Sequence, residues 1–295
     1  MRPFVLAGAM LLTCFGVAGC TVTLDSQSEI VRDEKRFTVK GPPTVRLTTF
    51  DGTIQIQSWD KPDVLVEIEK RGPTREAVSA VEVKSSQSGD TIEVEAVKPR
   101  GAFDFGVRVV GSAKFNVWLP RESHIKARSG DGSILVEHVK GTIDLHTGDG
   151  GIRLSDVSGE LTLNTGDGSV TAEEVQGRLA VETGDGAVTI SGDVSSLRIH
   201  TGDGSIIYRG QAATAMSEDW NITTGDGAIL LYLPHDFSAE LDAHTGDGGI
   251  RNDLNVAAGG EINRRTVRGR IGDGGRQLRI RTGDGAITLK KLQQG

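Results

Sequence analysis

The stretch that decides the fold is residues 147–168, TGDGGIRLSDVSGELTLNTGDG, which begins and ends on the same four-residue motif. The aspartate of this Ser/Thr-Gly-Asp-Gly motif recurs every 18 residues, at Asp131, Asp149, Asp167, Asp185 and Asp203. Asp226, Asp247 and Asp284 continue the series at wider spacings, and Ile271-Gly272-Asp273-Gly274 is a degenerate copy. A fixed internal period of this length predicts a repeat architecture.

Apolar residues take the same places in each repeat. Ile152 and Leu154 stand three and five residues after Asp149, and Leu161 and Leu163 follow at twelve and fourteen, with mostly polar residues between them. This alternation predicts two short strands with one buried face each. One repeat cannot bury its apolar face alone, so copies must stack, with parallel strands about 4.8 Å apart. We therefore predict an all-β fold, a parallel β-solenoid (β-helix) with coils of about 18 residues over 121–295.

The region before these repeats is less regular. Strand patterns begin at Phe37, and Asp51-Gly52 is followed by apolar residues at the same offsets as in the repeats. We interpret residues 37–120 as an antiparallel or mixed β region that caps the solenoid, because an open stack would expose unpaired strand edges. A short helix is expected within Thr74–Ala80. Insertions are expected at Arg209–Asp219 and Asn255–Gly269.

The N-terminus has the pattern of an export signal. Arg2 precedes an uncharged apolar run that ends at Ala18-Gly19-Cys20, which predicts a signal peptide over 1–19 and a polar tether over 20–36. Cys directly after Ala-Gly resembles the lipobox of bacterial lipoproteins. That resemblance implies a lipid on Cys20, a membrane anchor and, with Thr21 next, the outer membrane where the cell has one. An ordinary signal peptide, cut nearby, is the alternative.

Composition and motifs bear on the class of function. The net charge is -7 and no basic run is present, which disfavours nucleic acid as a partner. Glycosidase-type catalysis needs two carboxylates in different surroundings, whereas these aspartates recur in near-identical contexts. We predict a non-enzymatic structural or binding module of the cell envelope, with a glycan or an envelope protein as partner. A polysaccharide-active β-helix enzyme, a lyase or hydrolase, is the alternative.

The aspartates themselves allow two interpretations. Asp-Gly favours tight turns, so the motif can be purely structural. Stacking would also place seven carboxylates in one row, which a cation such as Ca²⁺ could neutralise. This candidate cation-binding row consists of Asp131, Asp149, Asp167, Asp185, Asp203, Asp226 and Asp247. We favour a structural role without an obligatory metal or other cofactor.

Other side chains could mark a binding surface. His146, His200 and His244 each precede Thr-Gly-Asp-Gly on the outward face, in coils too far apart to share a metal. Trp220 and Tyr208 fall at core offsets, although exposure would make them a contact patch. A basic cluster could meet an anionic glycan or a lipid headgroup, or be a solvated loop. It comprises Arg264, Arg265, Arg268 and Arg270.

Several motifs together carry a family resemblance from Phe37 to Leu292. They are Phe50-Asp51-Gly52-Thr53-Ile54, Ser58-Trp59-Asp60, Val117-Trp118-Leu119-Pro120, Leu231-Tyr232-Leu233-Pro234 and the repeated Thr-Gly-Asp-Gly. In these features the chain resembles the bacterial adhesin-type family known as domain of unknown function 4097. The resemblance implies a β-strand solenoid at the cell envelope and implies no known activity.

Overall fold

The chain folds as an all-β protein with very little helix, as the computed structural model shows for residues 28–97, 111–257 and 261–292. The predicted all-β class is therefore confirmed. The short helix α1 (Arg75–Ala80) is confirmed as well, and the Thr74 hydroxyl caps it by accepting a hydrogen bond from the Ala77 N–H at 3.2 Å. The predicted signal peptide, Cys20 and the first part of the tether lie outside the described residues.

The strands follow one another closely along the described chain. They are β1 Glu29–Thr38, β2 Thr44–Thr49, β3 Ile54–Trp59, β4 Asp63–Gly72, β5 Glu82–Ser88, β6 Thr91–Val97, β7 Ser112–Pro120, β8 His124–Ser129, β9 Ile134–Glu137, β10 Lys140–Thr147, β11 Ile152–Ser155, β12 Ser158–Thr165, β13 Val170–Thr183, β14 Val188–Thr201, β15 Ile206–Gly210, β16 Trp220–Thr224, β17 Ile229–Leu233, β18 Ala239–Thr245, β19 Ile250–Asn252, β20 Val256–Ala257, β21 Thr266–Ile271, β22 Gln277–Thr282 and β23 Ile287–Lys291. Strand β1 begins at Glu29, earlier than the Phe37 expected from the sequence pattern.

Strands in the middle of the molecule stack in parallel and in sequence order. We call two consecutive strands on the two sides of the stack a coil, such as β10 with β11, which a Thr-Gly-Asp-Gly corner joins. Ile143 of β10 pairs with Ile125 before it and with Leu161 after it, and Ile152 of β11 pairs likewise with Ile134 and Val170. Strands β13 and β14 are long enough to take part in both sides of the stack. Successive coils therefore extend the stack from β8 to β17.

The two ends break this order in the same way. The β2–β3 coil lies between β6–β7 and β8–β9, because Val45 pairs with both Ile92 and Ile125. At the other end, β22–β23 lies between β16–β17 and β18–β19, where Leu278 pairs with both Trp220 and Leu241. At each end, one coil is thus inserted between two others, and its place in the stack differs from its place along the chain.

Antiparallel strands cover the outermost coils. At the N-terminal end, β4 pairs with β7 and β1 pairs with β4, while β5 pairs with β6. At the C-terminal end, β21 pairs with both β18 and β20. The carbonyls of Arg264 and Arg265 accept hydrogen bonds from the N–H groups of Ile250 and Thr245. These pairings satisfy backbone groups that an open stack would leave exposed.

The core is the thin column of apolar residues that the repeat pattern predicts. Ile152, Leu154, Leu161 and Leu163 are all buried, and the same offsets are buried in the other regular coils. A further inward position was not predicted from the sequence. This position lies between the two apolar pairs of a repeat and holds a buried valine, at Val139, Val157, Val175 and Val194. In three coils the residue directly before this valine has a left-handed backbone conformation, at His138, Asp156 and Glu174.

Candidate binding face

The threonine of each Thr-Gly-Asp-Gly corner ties its coil to the preceding one. Thr165 is buried, and its hydroxyl donates to the Gly150 carbonyl at 2.9 Å while accepting from the Gly168 N–H at 3.2 Å. Thr183 and Thr201 repeat this arrangement in the next two coils. The hydroxyls of these three threonines therefore bond to glycine carbonyls of the neighbouring coil.

The second glycine of the motif is required by close backbone packing. A Cβ atom on Gly168 would stand 2.1 Å from the Gly150 carbonyl oxygen, well inside any tolerable contact. The same short approach recurs at Gly186 and Gly204. Glycine at this place thus lets successive corners approach each other, which explains its recurrence without any ligand.

The aspartates follow the order of the coils in space rather than along the chain. An Oδ1 atom of Asp167 lies 3.1 Å from where a Cβ of Gly184 in the next coil would stand, and Asp185 relates to Gly202 in the same manner at 3.0 Å. The corner of Asp284 comes between those of Asp226 and Asp247, since the Gly283 N–H donates to Gly225 and the Gly246 N–H to Thr282.

The corner of Asp51 precedes that of Asp131, because the Gly130 N–H donates to the Thr49 carbonyl. Asp51 and Asp284 are thus two members that the predicted row lacked. All members of the row are exposed. Within residues 28–97, 111–257 and 261–292, no three His, Cys, Asp or Glu residues come close enough together to hold a metal ion. Cation binding by the row stays a prediction.

The degenerate copy at residues 271–274 does not belong to this row. Ile271 ends the antiparallel edge strand β21, and Gly272 lies against Phe237 and Ser238 just before the start of β18, at the opposite end from its corner. The Asp273 N–H donates to the Ser238 hydroxyl at 3.1 Å. The motif serves here as a turn that carries the chain from the edge of the stack back to the inserted strand β22. Our interpretation of it as another repeat was wrong.

A column of unlike polar side chains crosses the outward face of the long strands. Arg128, His146, Asn164, Glu182 and His200 occupy equivalent places on β8, β10, β12, β13 and β14, each paired in register with the next. We call these five residues the polar ladder. From His146 to His200 the ladder lines a shallow groove beside the Thr-Gly-Asp-Gly corners. It brings a cation, two imidazoles, an amide and a carboxylate onto neighbouring coils.

The three histidines named from the sequence are divided between two surroundings. His146 and His200 belong to the polar ladder, separated by Asn164 and Glu182. His244 lies on β18 near the C-terminal end, where its Nδ1 is 3.0 Å from the Thr266 hydroxyl of the edge strand. His146 and His200 are three coils apart, so they cannot share a ligand atom or a metal.

The aromatic side chains near the insertions are mostly core. Trp220 and Tyr208 are fully buried, as predicted, and their rings meet edge to face at a centroid distance of 5.2 Å. Phe237 is buried against Trp220 as well. The Tyr208 hydroxyl donates to the Gly192 carbonyl, and burial raises the pKa of Tyr208. Only Tyr232 of this group is half-exposed, under the Arg209 guanidinium at 4.3 Å.

The basic cluster lies on the cover of the C-terminal end. Arg268 on β21 and Arg281 on β22 both bond the carboxylate of Asp242 on β18, which stands between them. Burial alone would raise the pKa of Asp242, but the hydrogen bonds from Arg281 and Arg268 outweigh it and hold the pKa below its ordinary value. The cluster is therefore partly an internal charge network.

One further observation concerns membrane spans. No helix in the described part of the chain is long and apolar enough to cross a membrane.

Solved structures resemble the chain at low sequence identity. A proposed lipid-binding protein from Parabacteroides distasonis is 13% identical, with 89% of this chain and 97% of that chain covered and a TM-score of 0.51. A proposed cell adhesion protein from Clostridium sporogenes is 14% identical over 90% and 100% of the two chains, with a TM-score of 0.30. A proposed adhesin from Bacteroides fragilis is 11% identical over 89% and 97%, with a TM-score of 0.40. At these identities the likeness concerns the fold alone.

No curated protein matches the sequence significantly. The family model described as Toastrack DUF4097 matches residues 44–290, from the second strand to the last one. This match confirms the resemblance inferred from the motifs and covers most of the chain. The protein therefore belongs to the Toastrack DUF4097 family.

Proposed function

We propose that the protein is a non-enzymatic binding module of the bacterial cell envelope, which is anchored by a lipid on Cys20 and holds a glycan on its polar ladder. The scaffold is a parallel β-solenoid with coils of about 18 residues and a less regular N-terminal cap over 37–120. The observation that carries the proposal is the ladder itself. The inward positions of these coils repeat apolar residues, whereas the five ladder positions hold chemically different side chains, four of which line one groove.

The chemistry of the ladder suits a linear polymer with many hydroxyl groups. Arg128 only donates hydrogen bonds, Glu182 as a carboxylate only accepts them, and Asn164 does both. Side chains in register repeat about every 4.8 Å, so an extended chain along the stack meets a new partner at each coil. The groove is shallow and open, which favours binding along a surface over enclosure of a small molecule.

A binding assay with a control from the same coils tests the ladder. The triple variant His146→Ala, Asn164→Ala and Glu182→Ala should lose at least tenfold in affinity on a glycan array or for purified peptidoglycan, at about 1 kcal/mol for each lost hydrogen-bonding group. The matched variant changes outward residues that follow the corners rather than precede them, Arg153→Ala, Thr171→Ala and Thr189→Ala. It should bind like the unaltered protein.

Three outcomes would count against the proposal. Equal losses in both triple variants would show that the ladder is not the binding surface. Capture of an envelope protein, with no glycan bound, would assign the ladder to that alternative partner. Release of reducing sugar from a bound polysaccharide would favour the enzyme alternative, with Glu182 beside His200 as the first residues to test.

The lipid anchor has its own test. Cys20→Ser removes the thiol that would carry the lipid, so the variant should move from the membrane fraction to the soluble fraction after cell breakage and a high-salt wash, which also screens attraction between arginines and lipid headgroups. An unchanged distribution would contradict anchoring through Cys20. This result is independent of glycan binding by the ladder.

A further inference from the structure

We propose that the C-terminal end of the stack binds membrane surfaces rich in anionic phospholipid headgroups. The binding surface is the end cover formed by residues 261–270, which we call the end cap. It lies at β18 and β21, away from the polar ladder on β8 to β14, so the two proposals are independent.

The first observation is an excess of arginine at this end. Residues 261–281 contain seven arginines and two carboxylates, in a chain whose net charge is -7. Some of these arginines have carboxylate partners, as Arg265 has Asp247 at 3.4 Å and Arg268 has Asp242 at 3.0 Å. Arg264 and Arg270 are exposed and make no ion pair within the described part of the chain. The end cap therefore offers guanidinium groups to an outside anion.

The second observation is an exposed aliphatic side chain among these arginines. Ile262 is 60% exposed, and the described residues contain only two other large apolar side chains classed as exposed, Ile30 and Val31. Ile262 stands two and three residues before Arg264 and Arg265. An exposed apolar side chain close to arginines in the chain matches the membrane interface, where acyl chains lie just below anionic phosphates.

The turn that carries Ile262 is held firmly in place. The side-chain oxygen of Asn263 accepts hydrogen bonds from the N–H groups of Arg265 and Thr266, each at 2.8 Å. The Arg264 carbonyl accepts from the Ile250 N–H at 2.9 Å, which fastens the turn to the last coil. The exposure of Ile262 is therefore built into an ordered turn.

These two features together select a lipid surface. Free phosphate or a soluble acidic glycan would use the arginines, since a guanidinium binds phosphate and carboxylate well, but neither would use Ile262. A bilayer uses both, because the side chain can enter the interface while the arginines meet headgroup phosphates.

Vesicle flotation tests the proposal. The full chain with Cys20→Ser is used throughout, so that a lipid anchor does not mask the effect. It should bind vesicles of phosphatidylcholine containing phosphatidylglycerol, and bind phosphatidylcholine alone much more weakly. R264Q with R270Q should weaken binding to the anionic vesicles about fivefold for each arginine. Ile262→Ser should weaken it by about tenfold.

A charge-matched control separates the end cap from a general effect of net charge. Arg153→Gln with Arg198→Gln removes the same charge from exposed residues outside both proposed binding surfaces and should leave binding within twofold. Melting temperatures establish that all variants are folded. Equal binding to neutral and anionic vesicles, or an equal loss in the control, would overturn the proposal. So would complete competition by inorganic phosphate with no effect of Ile262→Ser, which would indicate a phosphate site.

Discussion

The middle of the stack and its two ends bury the same kind of apolar column by different means. Between β8 and β17 each coil pairs in parallel with its neighbours along the chain, so the same repeated sequence pattern is sufficient to build every coil. At the ends a coil is inserted out of order and antiparallel strands cover the outermost edge. A repeat can thus extend a stack, but its termination needs residues that do not repeat.

The largest expected effect lies where the middle meets the C-terminal end. Trp220 packs against Tyr208 and Phe237, and its strand β16 pairs with the inserted β22. Trp220→Ala should lower the free energy of unfolding by about 4 kcal/mol because it leaves a large cavity. Denaturant unfolding followed by circular dichroism measures this. Trp59→Ala, at a half-exposed ring, is the control, and an equal loss there would contradict a special role for this junction.

Disturbing the close packing of the corners in the middle of the stack should lower the free energy of unfolding somewhat less than Trp220→Ala does. Gly168→Ala would place a Cβ 2.1 Å from the Gly150 carbonyl and should destabilise the protein by about 3 kcal/mol. Gly89→Ala, in the turn between β5 and β6, has open space around the new Cβ. Its destabilisation comes only from the left-handed φ of 59° and should be about 1 kcal/mol. Equal destabilisation measured in urea would show that corner packing does not distinguish the two regions.

The charge network around Asp242 in the C-terminal cover should contribute less to stability than either of these packing interactions. Asp242→Asn should cost about 1 kcal/mol at neutral pH, since it removes the carboxylate that Arg268 and Arg281 share. The pKa of Asp242 is lowered in the folded protein from an ordinary 3.8, so its stabilisation is present above pH 3.8 and is lost as the pH falls below that value. The stabilities of the two proteins, measured across the acid range, should therefore converge. A constant difference would contradict this assignment.

The smallest effect is expected from calcium at the aspartate row. Backbone and threonine hydrogen bonds already hold the corners together in successive coils. Millimolar Ca²⁺ should therefore raise the melting temperature by less than about 2 °C relative to chelator, less than roughly 1 kcal/mol for a domain of this size. A rise of many degrees would establish the row as a cation site.

The sequence predicted local structure well because strand alternation and turn chemistry are local properties. The burial of Trp220 and Tyr208 and the helix after Thr74 follow from such patterns. The order of coils at the ends could not be predicted in this way. Coils with similar apolar offsets can pair with several partners, so nothing in β22 itself specifies that it lies between β16 and β18. The places of Asp51 and Asp284 in the row were missed for the same reason.

The candidate surfaces were predicted only in part. His146 and His200 were noted in the sequence, but Asn164 and Glu182 became informative only when the register placed all four along one groove. The arginine cluster was visible in the sequence. Its pairing with Asp242 and the exposure of Ile262 depend on an antiparallel edge strand that the repeat pattern does not encode.

The inserted coils also determine where the protein can change in length. Because β22–β23 is enclosed between two other coils, adding a repeat after the last strand would not lengthen the stack. An extra copy can be accommodated between Ser129 and Thr201, where successive coils are neighbours along the chain and the new strands would find equivalent partners on both sides. Tandem duplication or deletion of a repeat inside the gene, with both ends retained, is thus the simplest route to longer or shorter relatives.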